Sequence, residues 1–574
     1  MIDRVDVEIN RIIQVMQKSQ SLDGAWKLFH DEEEGNLSAT VEAYYALLFS
    51  GYCRNNDARM QAAKRFILSK GGLSHSSLLT KVMLASTGQY PWPKHVLLPI
   101  EMMLLPPWFP VHFFDFAGYA RVHIAPLLVV SDRKFVRRIP GTPDISDLRN
   151  SRTSILQSAE ARSFHKRIVD GIRSLPYLPA VMHRQALRMA ERFMLDRLEA
   201  DGTLYSYFTS TFLMIFALQA LGYASNHPVI TRAIAGMKAM TCPANGHVQN
   251  ATATVWNTAL LAHALLSVGV QPSNPMVKKA GRYLLSRQQD RYGDWALKDP
   301  FVLPGGWGFS DVNTINPDVD DTTAALRVMN RLREEDPAYR QSWKRGLQWL
   351  LSMQNDDGGW PAFEKNTDKK ILSLLPMEGA DAVSTDPSTA DLTGRTLEFL
   401  GNHAGFTLPH PNVERAVHWI LRNQQMDGSW YGRWGISYLY GTWSAVTGMR
   451  AVGVAPEHQA VQKAVQWVQR IQNEDGGWGE SCKSDILKRY VPLGGSTLSQ
   501  TAWAVDTLIA VSPEPTTAIE RGIQYLLANG KTEDWTVSYP TGAGLPGGFY
   551  FHYHSYRYIW PLLAFAHYKR KYFP

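Results

Sequence analysis

The chain has 574 residues, too many for one ordinary hydrophobic core, so two large domains are expected. Hydrophobic residues make up 45% and charged residues only 19%, a balance that excludes an intrinsically disordered protein. The formal net charge is +7, but Lys and Arg are scattered along the sequence, which argues against nucleic acid as a partner.

The sequence shows no segment that is expected to cross a membrane. The first residues, MIDRVD, lack the basic and apolar regions of a signal peptide, and no run of about 18 uninterrupted apolar residues occurs. The most apolar segment, residues 95–111, contains Glu101 and four prolines, so it cannot span a bilayer as a helix. Two interpretations stay open: a buried irregular segment, or a surface that enters one leaflet of a membrane.

A repeat organises most of the chain: a helix that starts with a basic residue is followed by Gln and then by Gly-x-Trp. Copies recur roughly every 50 to 70 residues, which is the size of a helix pair. We expect each Gln amide and Trp ring to hold one helix end against the next turn. Alternating inner and outer helices then predict an all-α fold of two α/α (α6-α6) barrel domains. Clear copies end at 358–360, 428–430 and 476–478, weaker ones at 24–26, 293–295 and 534–535, and a decayed copy at 201–204.

The segment PDVDDTTA, residues 317–324, places three carboxylates within four positions: Asp318, Asp320 and Asp321. Clustered like charges repel, so one member can be kept protonated while its neighbours ionise. A protonated carboxyl in an apolar, aromatic-lined cavity can donate a proton to an alkene. Because the chain is rich in aromatic residues, 11% of the total, a Brønsted-acid polyene cyclase is the hypothesis to test.

The acidic cluster, the cysteines and a Gly-rich segment near the C-terminus also have simpler interpretations. Acidic residues stabilise a helix N-terminus, and a calcium loop would need Gly and Glu where this chain has Thr323 and Met329. The three cysteines are far apart and form no Cys-x-x-Cys pair, which suits a reducing compartment. Residues 542–547 spell Gly-x-Gly-x-x-Gly without a preceding strand, so a turn before the terminal helix is predicted.

DVDDTT, together with GGWGF at residues 305–309 and the Gln…Gly-x-Trp repeats, resembles the squalene-hopene cyclase family of class II terpene cyclases. Similar matches are WYGRWG at 430–435, YLYG at 438–441 and GGFY at 547–550. The resemblance implies a terpenoid cyclase toroid with α/α barrel domains at 1–251 and 252–574, the second being catalytic. It implies no cofactor and no metal, and it implies that an N-terminal repeat common in the family is missing before residue 23.

The resemblance also implies roles for individual residues. Asp320 corresponds to the proton donor, Asp318 and Asp321 to its acidic neighbours, and Tyr440 to a nearby hydroxyl. Where hopene-forming members have a His partner to the acid, this chain has Arg395, four residues after Asp391. A permanently charged guanidinium strengthens the acid but makes its reprotonation harder. Rings expected to line the cavity and stabilise carbocations, with core packing as the alternative, are Trp256, Phe309, Phe363, Trp434, Phe549, Tyr553 and Tyr556.

Departures from the hopene-forming pattern indicate a particular branch of the family. Residues 151–164 lack a Trp-bearing Gly-rich segment, and 207–209 replace Gln-Pro-Pro. With Arg395, they are similar to the branch that cyclises tetraprenyl-β-curcumene, a C35 isoprenoid with one ring, and adds water to give a polycyclic alcohol. Squalene cyclisation to hopene, hopanol or a bicyclic alcohol is the alternative within this chemistry.

Two alternatives from other classes stay open. One is a lipid-binding toroid without catalysis, and the other is a zinc-dependent prenyltransferase subunit, for which Cys482 is the single candidate ligand. An insoluble isoprenoid substrate implies a monotopic protein on the cytoplasmic face of the cell membrane. The sequence leaves the oligomeric state open, with a homodimer as one option.

Overall fold

The computed structural model describes residues 7–92, 98–149, 180–242, 246–374, 383–545 and 548–574. Residues 151–164, which carry one of the departures from the hopene-forming pattern, lie outside the described residues. Contacts between Cα atoms divide the chain into two compact units. The first comprises residues 1–28, 32–252 and 369–385, and the second comprises 29–31, 253–368 and 386–574.

The described residues of the first unit form α-helices and short 3-10 turns. Helix α5 is apolar around most of its circumference and packs against α6 and α7, which makes it an inner element of this unit. A separate core forms around Trp26, Tyr44 and Ile67. The α-helices are α1 (Val7–Lys18), α2 (Leu37–Ser50), α3 (Ala58–Ser69), α4 (Leu78–Ser86), α5 (Gly118–Asp132), α6 (Ala180–Leu195), α7 (Phe208–Ala220) and α8 (Pro228–Ala239). The 3-10 turns are Gly72–His75, Ile100–Leu104, Phe113–Asp115, Ser146–Leu148 and Lys370–Leu374.

The second unit contains a closed ring of helices. Within its described residues, six helices contact one another in the order α9, α11, α13, α15, α18, α20 and back to α9. These six are α9 (Thr254–Ser267), α11 (Val319–Leu332), α13 (Ala390–Ala404), α15 (Tyr438–Ala451), α18 (Leu498–Val511) and α20 (Tyr556–Tyr572). Amphipathic helices pack outside the ring, namely α10 (Pro275–Arg287), α12 (Pro337–Ser352), α14 (Pro411–Arg422), α16 (Gln459–Arg470) and α19 (Thr517–Asn529). A short helix, α17 (Lys483–Leu487), lies between α16 and α18 in the sequence. The closed ring confirms the predicted α/α barrel fold.

Two inner helices, α13 and α15, cross with their backbones in contact. A Cβ atom on Gly394 would lie 2.2 Å from the carbonyl oxygen of Ser444, and one on Gly448 would lie 2.2 Å from the carbonyl oxygen of Gly394. Both distances are shorter than a van der Waals contact, so the crossing requires glycine on both helices. This crossing places the first turns of α13 and α15 side by side.

The repeat forms the staple that the sequence predicts. The side-chain amide of Gln354 donates to the carbonyl of Gly358 at 2.8 Å and to that of Asn412 at 2.9 Å. The Trp360 indole N–H donates to the carbonyl of Leu350 at 2.9 Å, which ties the turn back to α12. The copies that contain Gln424–Trp430 and Gln472–Trp478 repeat both sets of bonds.

The weaker copy assigned to residues 293–295 is a wrong prediction. Gln288 donates to the carbonyls of Gly305 and Ser342 at 2.8 and 2.9 Å, and the repeat tryptophan is Trp307, whose indole N–H binds α10. The indole nitrogen of Trp295 is buried without a partner among the described residues. An insertion between Gln288 and Trp307 conceals the true spacing.

The terminal Gly-rich segment contains a hairpin where a turn is predicted. Strands β1 (Gly542–Leu545) and β2 (Phe549–Phe551) pair antiparallel, with Gly542 opposite Phe551. A Cβ on Gly544 would lie 2.1 Å from the Phe549 ring, so the glycine makes room for that ring. The described residues of the second unit also include two 3-10 turns, Asp294–Leu297 and Trp535–Ser538. Across the described ranges, no helix combines the length and the apolar character needed to cross a membrane.

Candidate active site

The three clustered carboxylates occupy the N-terminus of inner helix α11. Asp318 is the N-cap residue, and its side chain accepts the backbone N–H of Asp321 at 2.7 Å. The backbone on either side is fixed by bonds from Asp318 N to Trp307 O (2.9 Å) and from Val319 N to Ala362 O (2.8 Å). Asp318 and Asp321 are buried, whereas the Asp320 side chain keeps 16% of its surface exposed.

The two buried carboxyls favour their protonated forms. Burial raises the pKa of Asp318 to about 7, and the negative charge of Asp320 adds to the effect. Burial and the charges of Asp318 and Asp320 raise the pKa of Asp321 well above its ordinary value. One carboxyl oxygen of Asp321 has no hydrogen-bond partner among the described residues. Protons are therefore held directly beside Asp320 at neutral pH.

Arg395 on helix α13 is the charge partner of Asp320. Its Nε atom lies 2.5 Å from Oδ1 of Asp320, and its side chain is only 5% exposed. The guanidinium carbon lies 5.5, 5.5 and 5.6 Å from the rings of Trp256, Trp443 and Trp560. A buried cation enclosed by three indole faces is stabilised by the rings as well as by the carboxylate. Burial lowers the pKa of Arg395, but the charge of Asp320 outweighs that effect and leaves it raised.

Asp391, one turn before Arg395, bonds to backbone groups. It is fully buried, and its carboxylate accepts the backbone N–H groups of Trp434 at 2.8 Å and Leu392 at 3.0 Å. Burial raises its pKa, and the N–H groups oppose that rise. Asp391 thus orients the loop that carries Trp434, and it makes no direct bond to Asp320.

Most of the predicted rings are arranged in two groups. Around the acid, Tyr553 and Tyr556 stack at 4.3 Å, Phe309 meets Tyr553 edge-on at 6.3 Å, and the indole N–H of Trp256 donates to the Tyr556 hydroxyl at 3.0 Å. Tyr440 is buried at the start of α15, and burial raises its pKa well above 10. The second group is an edge-to-face pair of Phe363 and Trp434, with ring centres 5.8 Å apart.

Phe549 is more remote than the other predicted rings. It lies on β2 and packs edge-to-face on Phe551 at 5.2 Å, and Phe551 in turn lies 6.0 Å from Tyr553. Two rings therefore separate Phe549 from Tyr556. No direct ring contact joins Phe549 to the rings around Asp320 within the described part of the chain.

Three tryptophans beside the acid were missed from the sequence: Trp443, Trp503 and Trp560. Tyr440 packs on Trp443 and Trp503 at 5.4 and 4.7 Å, and Trp443 meets Trp560 at 5.1 Å. The sequence spacing could have revealed two of them. Trp443 follows Tyr440 by three residues and Trp560 follows Tyr556 by four, so each lies one helical turn away, on the same helix face as a predicted site residue.

No set of three or more His, Cys, Asp and Glu side chains in the described residues is grouped as metal ligands. Cys482, the candidate zinc ligand, is buried, and its thiol donates to the carbonyl of Pro540 at 3.5 Å. Burial raises the pKa of this thiol, which disfavours the thiolate that zinc requires.

A closed α/α barrel with a cluster of carboxyls, an arginine and aromatic rings at one end is the architecture of a class II terpene cyclase. The family profiles agree: the Squalene-hopene cyclase C-terminal domain matches residues 252–570, and the Squalene-hopene cyclase N-terminal domain matches residues 2–245. The chain belongs to the squalene-hopene cyclase family.

Individual relatives refine this assignment. Sporulenol synthase of Bacillus subtilis (strain 168) is 46% identical over 559 residues, which cover 96% of this chain and 87% of the relative. Squalene–hopene cyclase of Alicyclobacillus acidocaldarius is 36% identical over 582 residues, covering 99% and 91%. Among solved structures, ent-copalyl diphosphate synthase from Streptomyces platensis shares the fold at 17% identity, with a TM-score of 0.52 and coverage of 97% and 91%. The protein is a proton-initiated terpene cyclase.

Proposed function

We propose that this cyclase protonates tetraprenyl-β-curcumene, closes its rings and adds water to give a polycyclic alcohol of the sporulenol type. The identity of 46% to sporulenol synthase, against 36% to squalene–hopene cyclases, supports this substrate. The single observation that carries the chemistry is the position of Asp320. It is the most exposed of the three clustered carboxyls, and it lies between a buried arginine and a group of aromatic rings.

In the proposed first step, Asp320 receives a proton from the neighbouring carboxyls and gives it to one carbon of the terminal alkene. A carbocation forms on the other alkene carbon, and Asp320 becomes a carboxylate. Arg395, 2.5 Å away, stabilises that carboxylate, so the transfer is less uphill than it would be beside neutral groups. Asp318 and Asp321, whose pKa values are raised by burial, keep protons close to Asp320.

The aromatic rings then stabilise the moving positive charge. Each ring face attracts a cation by about 0.5 to 2 kcal/mol without being basic enough to remove its proton. Phe309, Tyr553 and Tyr556 are continuous with one another, and the pair of Phe363 and Trp434 provides two further rings. At the end of the cascade, water adds to the last cation and releases one proton, which balances the proton that Asp320 donated.

The substrate is tested by supplying purified protein with tetraprenyl-β-curcumene and squalene in separate detergent reactions. Products are identified by gas chromatography and mass spectrometry. The proposal requires an alcohol from the C35 substrate with a kcat/KM at least about tenfold above that for squalene, a difference of about 1.4 kcal/mol. Turnover of squalene alone would establish the second candidate, squalene cyclisation, which its 36% identical relatives favour. Binding of both substrates without product would indicate a lipid-binding toroid.

We also propose that the protein collects its insoluble substrate at the cytoplasmic face of a membrane, through the segment that follows the 3-10 turn Ile100–Leu104. Trp108 in this segment is 82% exposed, and Pro107 beside it is also exposed. An exposed indole on a proline-rich loop suits the interface between headgroups and acyl chains.

Co-sedimentation with vesicles of stated composition (phosphatidylglycerol and phosphatidylcholine, 1:3) tests this membrane proposal. We expect Trp108→Ser to reduce binding severalfold, whereas Leu22→Ser, at another exposed apolar side chain, leaves it unchanged. Equal binding by wild type and Trp108→Ser would contradict it.

A further inference from the structure

The inner helices of the second unit surround a cavity with many charged side chains, which meets the acid site at Arg395 and extends away from it. Its volume is about 400 Å³, and it is lined by α9, α11, α13, α15, α18 and α20. On α20 the lining extends from Trp560 to Lys571, which corresponds to about 16 Å of helix at 1.5 Å per residue. The acid cluster lies at the N-terminal ends of these helices and the cavity opens towards their C-terminal ends. We call this space the lumen.

The lumen carries an excess of positive charge. Five cationic side chains line it against two carboxylates, Glu398 and Asp506. Both carboxylates already have partners: Glu398 is ion-paired with Arg327, and Asp506 is bound by His567 and by the indole N–H of Trp443. The five cations are Arg327, Arg395, Arg450, Arg570 and Lys571.

Helix C-termini account for only part of this charge. Arg450 donates to the carbonyls of Ala510 and Val454, and Lys571 donates to that of Ile509, so these two neutralise exposed carbonyls. Among the described residues, Arg570 has neither a hydrogen-bonded nor an ion-paired partner. Burial and the charge of Arg450 lower the pKa of Lys571, which shows that these cations repel one another.

Arg395 closes the inner end of the lumen. Its Nε atom is engaged by Asp320, but no hydrogen bond joins its two terminal nitrogens to any described residue. Its guanidinium is buried, and Trp443 and Trp560, two of the rings that enclose it, also line the lumen. A buried arginine edge with free donors is a site for an oxyanion, because the planar guanidinium matches two oxygens of one phosphate group.

We propose that the lumen binds an oxyanion of the phosphate class, which the charges of Arg450, Arg570 and Lys571 attract at the mouth and which the free donors of Arg395 bind at the inner end. The ligand neutralises the surplus charge and supplies acceptors to donors that the described residues leave unpaired. A diphosphate reaches further along the lumen than a monophosphate and therefore binds more tightly. The lumen shares Arg395, Trp443 and Trp560 with the acid end of the proposed active site, but anion binding can be measured without any isoprenoid substrate.

Isothermal titration of the full-length protein with inorganic phosphate and with diphosphate tests this proposal. We expect saturable binding with a stoichiometry near one, tighter for diphosphate, and at least about tenfold weaker in Arg450→Gln and in Arg570→Gln. Arg570→Gln removes an exposed side chain that has no partner among the described residues, so its loss of affinity cannot be due to unfolding. Lys569→Gln on the same helix, exposed and outside the lumen, is the matched control and keeps wild-type affinity.

A parallel experiment distinguishes the source of the phosphate group. Flotation with vesicles that contain phosphatidic acid, compared with pure phosphatidylcholine vesicles, detects a lipid headgroup at the mouth. Binding to phosphatidic acid that Arg570→Gln abolishes assigns the ligand to a lipid, whereas binding of soluble phosphate alone assigns it to a free anion. If neither probe binds, or if Lys569→Gln weakens binding as much as Arg570→Gln does, the lumen is not an oxyanion site.

Discussion

Breaking the ion pair between Arg395 and Asp320 should lower the free energy of unfolding by an amount that follows from the geometry of the pair. The paired atoms are 2.5 Å apart, and the two side chains are 5% and 16% exposed, so solvent screens the pair weakly. Removing one member of a buried pair costs about 3–5 kcal/mol, because the remaining charge loses its partner. Because the Asp320 side chain keeps 16% of its surface exposed to solvent, we expect Arg395→Gln to lie at the lower end of this range, with a loss of about 3 kcal/mol at pH 7.

A double-mutant cycle isolates this interaction. Urea unfolding, followed by circular dichroism, is measured for wild type, Arg395→Gln, Asp320→Asn and the double variant. Because Asp320→Asn already removes the negative charge, the second change costs less, and we expect a coupling energy of about 2 kcal/mol. If the effects of the two substitutions add to within about 0.5 kcal/mol, the ion pair does not stabilise the folded protein and the electrostatic reasoning is refuted.

Three further predictions concern the site and the fold. The pKa of Asp318, raised to about 7 from 3.8, means that folding favours its protonated form, so its contribution to stability is complete below pH 4 and is lost as the pH rises through 7. Asp318→Asn keeps an N-cap acceptor and removes this titration. The free energy of unfolding of the variant relative to wild type should therefore rise between pH 4 and 8, by at most about 4 kcal/mol, and its relative melting temperature should rise with it. A difference in melting temperature that is independent of pH would contradict this. Gln354→Leu removes two staple bonds of 2.8 and 2.9 Å and should cost about 2 kcal/mol in urea unfolding, and a loss below about 0.5 kcal/mol would show the staple to be dispensable. Gly394→Ala places a methyl group 2.2 Å from the Ser444 carbonyl and should lower the melting temperature by several degrees, whereas Gly530→Ala, with its nearest neighbour at 3.5 Å, should not; equal effects would refute the close helix crossing.

The barrel and its repeat could be predicted because they depend on local sequence. In the three clear copies, the Gln amide binds a glycine carbonyl four residues later, as in Gln354 and Gly358, so the motif can be recognised from its spacing. The copy at Gln288 was misassigned because an insertion separates it from Trp307, and Trp295 within the insertion imitates the motif. The hairpin at 542–551 was missed because a four-residue strand rich in glycine has no hydrophobic alternation to detect.

Parts of the candidate site could be predicted from the chemical identity of single residues. Parts that depend on how separate helices and loops pack together could not. The three carboxylates, Arg395 and most of the rings from Trp256 to Tyr556 were proposed from residue identity and resemblance, and the structure places them near one another, while their catalytic roles stay predictions. That Asp391 bonds to the Trp434 backbone depends on how α13 meets a loop 43 positions later, which periodicity does not reveal. The lumen was missed for the same reason, since its cations come from four separate helices.

The most direct test of the central claim is the turnover of Asp320→Asn. The substitution preserves size and removes the proton that starts the cascade, while Arg395 and the rings remain in place. With tetraprenyl-β-curcumene as substrate, product formation measured by mass spectrometry should decrease about 10³-fold or more, and the circular dichroism spectrum should stay unchanged. Product formation by a folded Asp320→Asn protein within about tenfold of the wild-type rate would contradict the account.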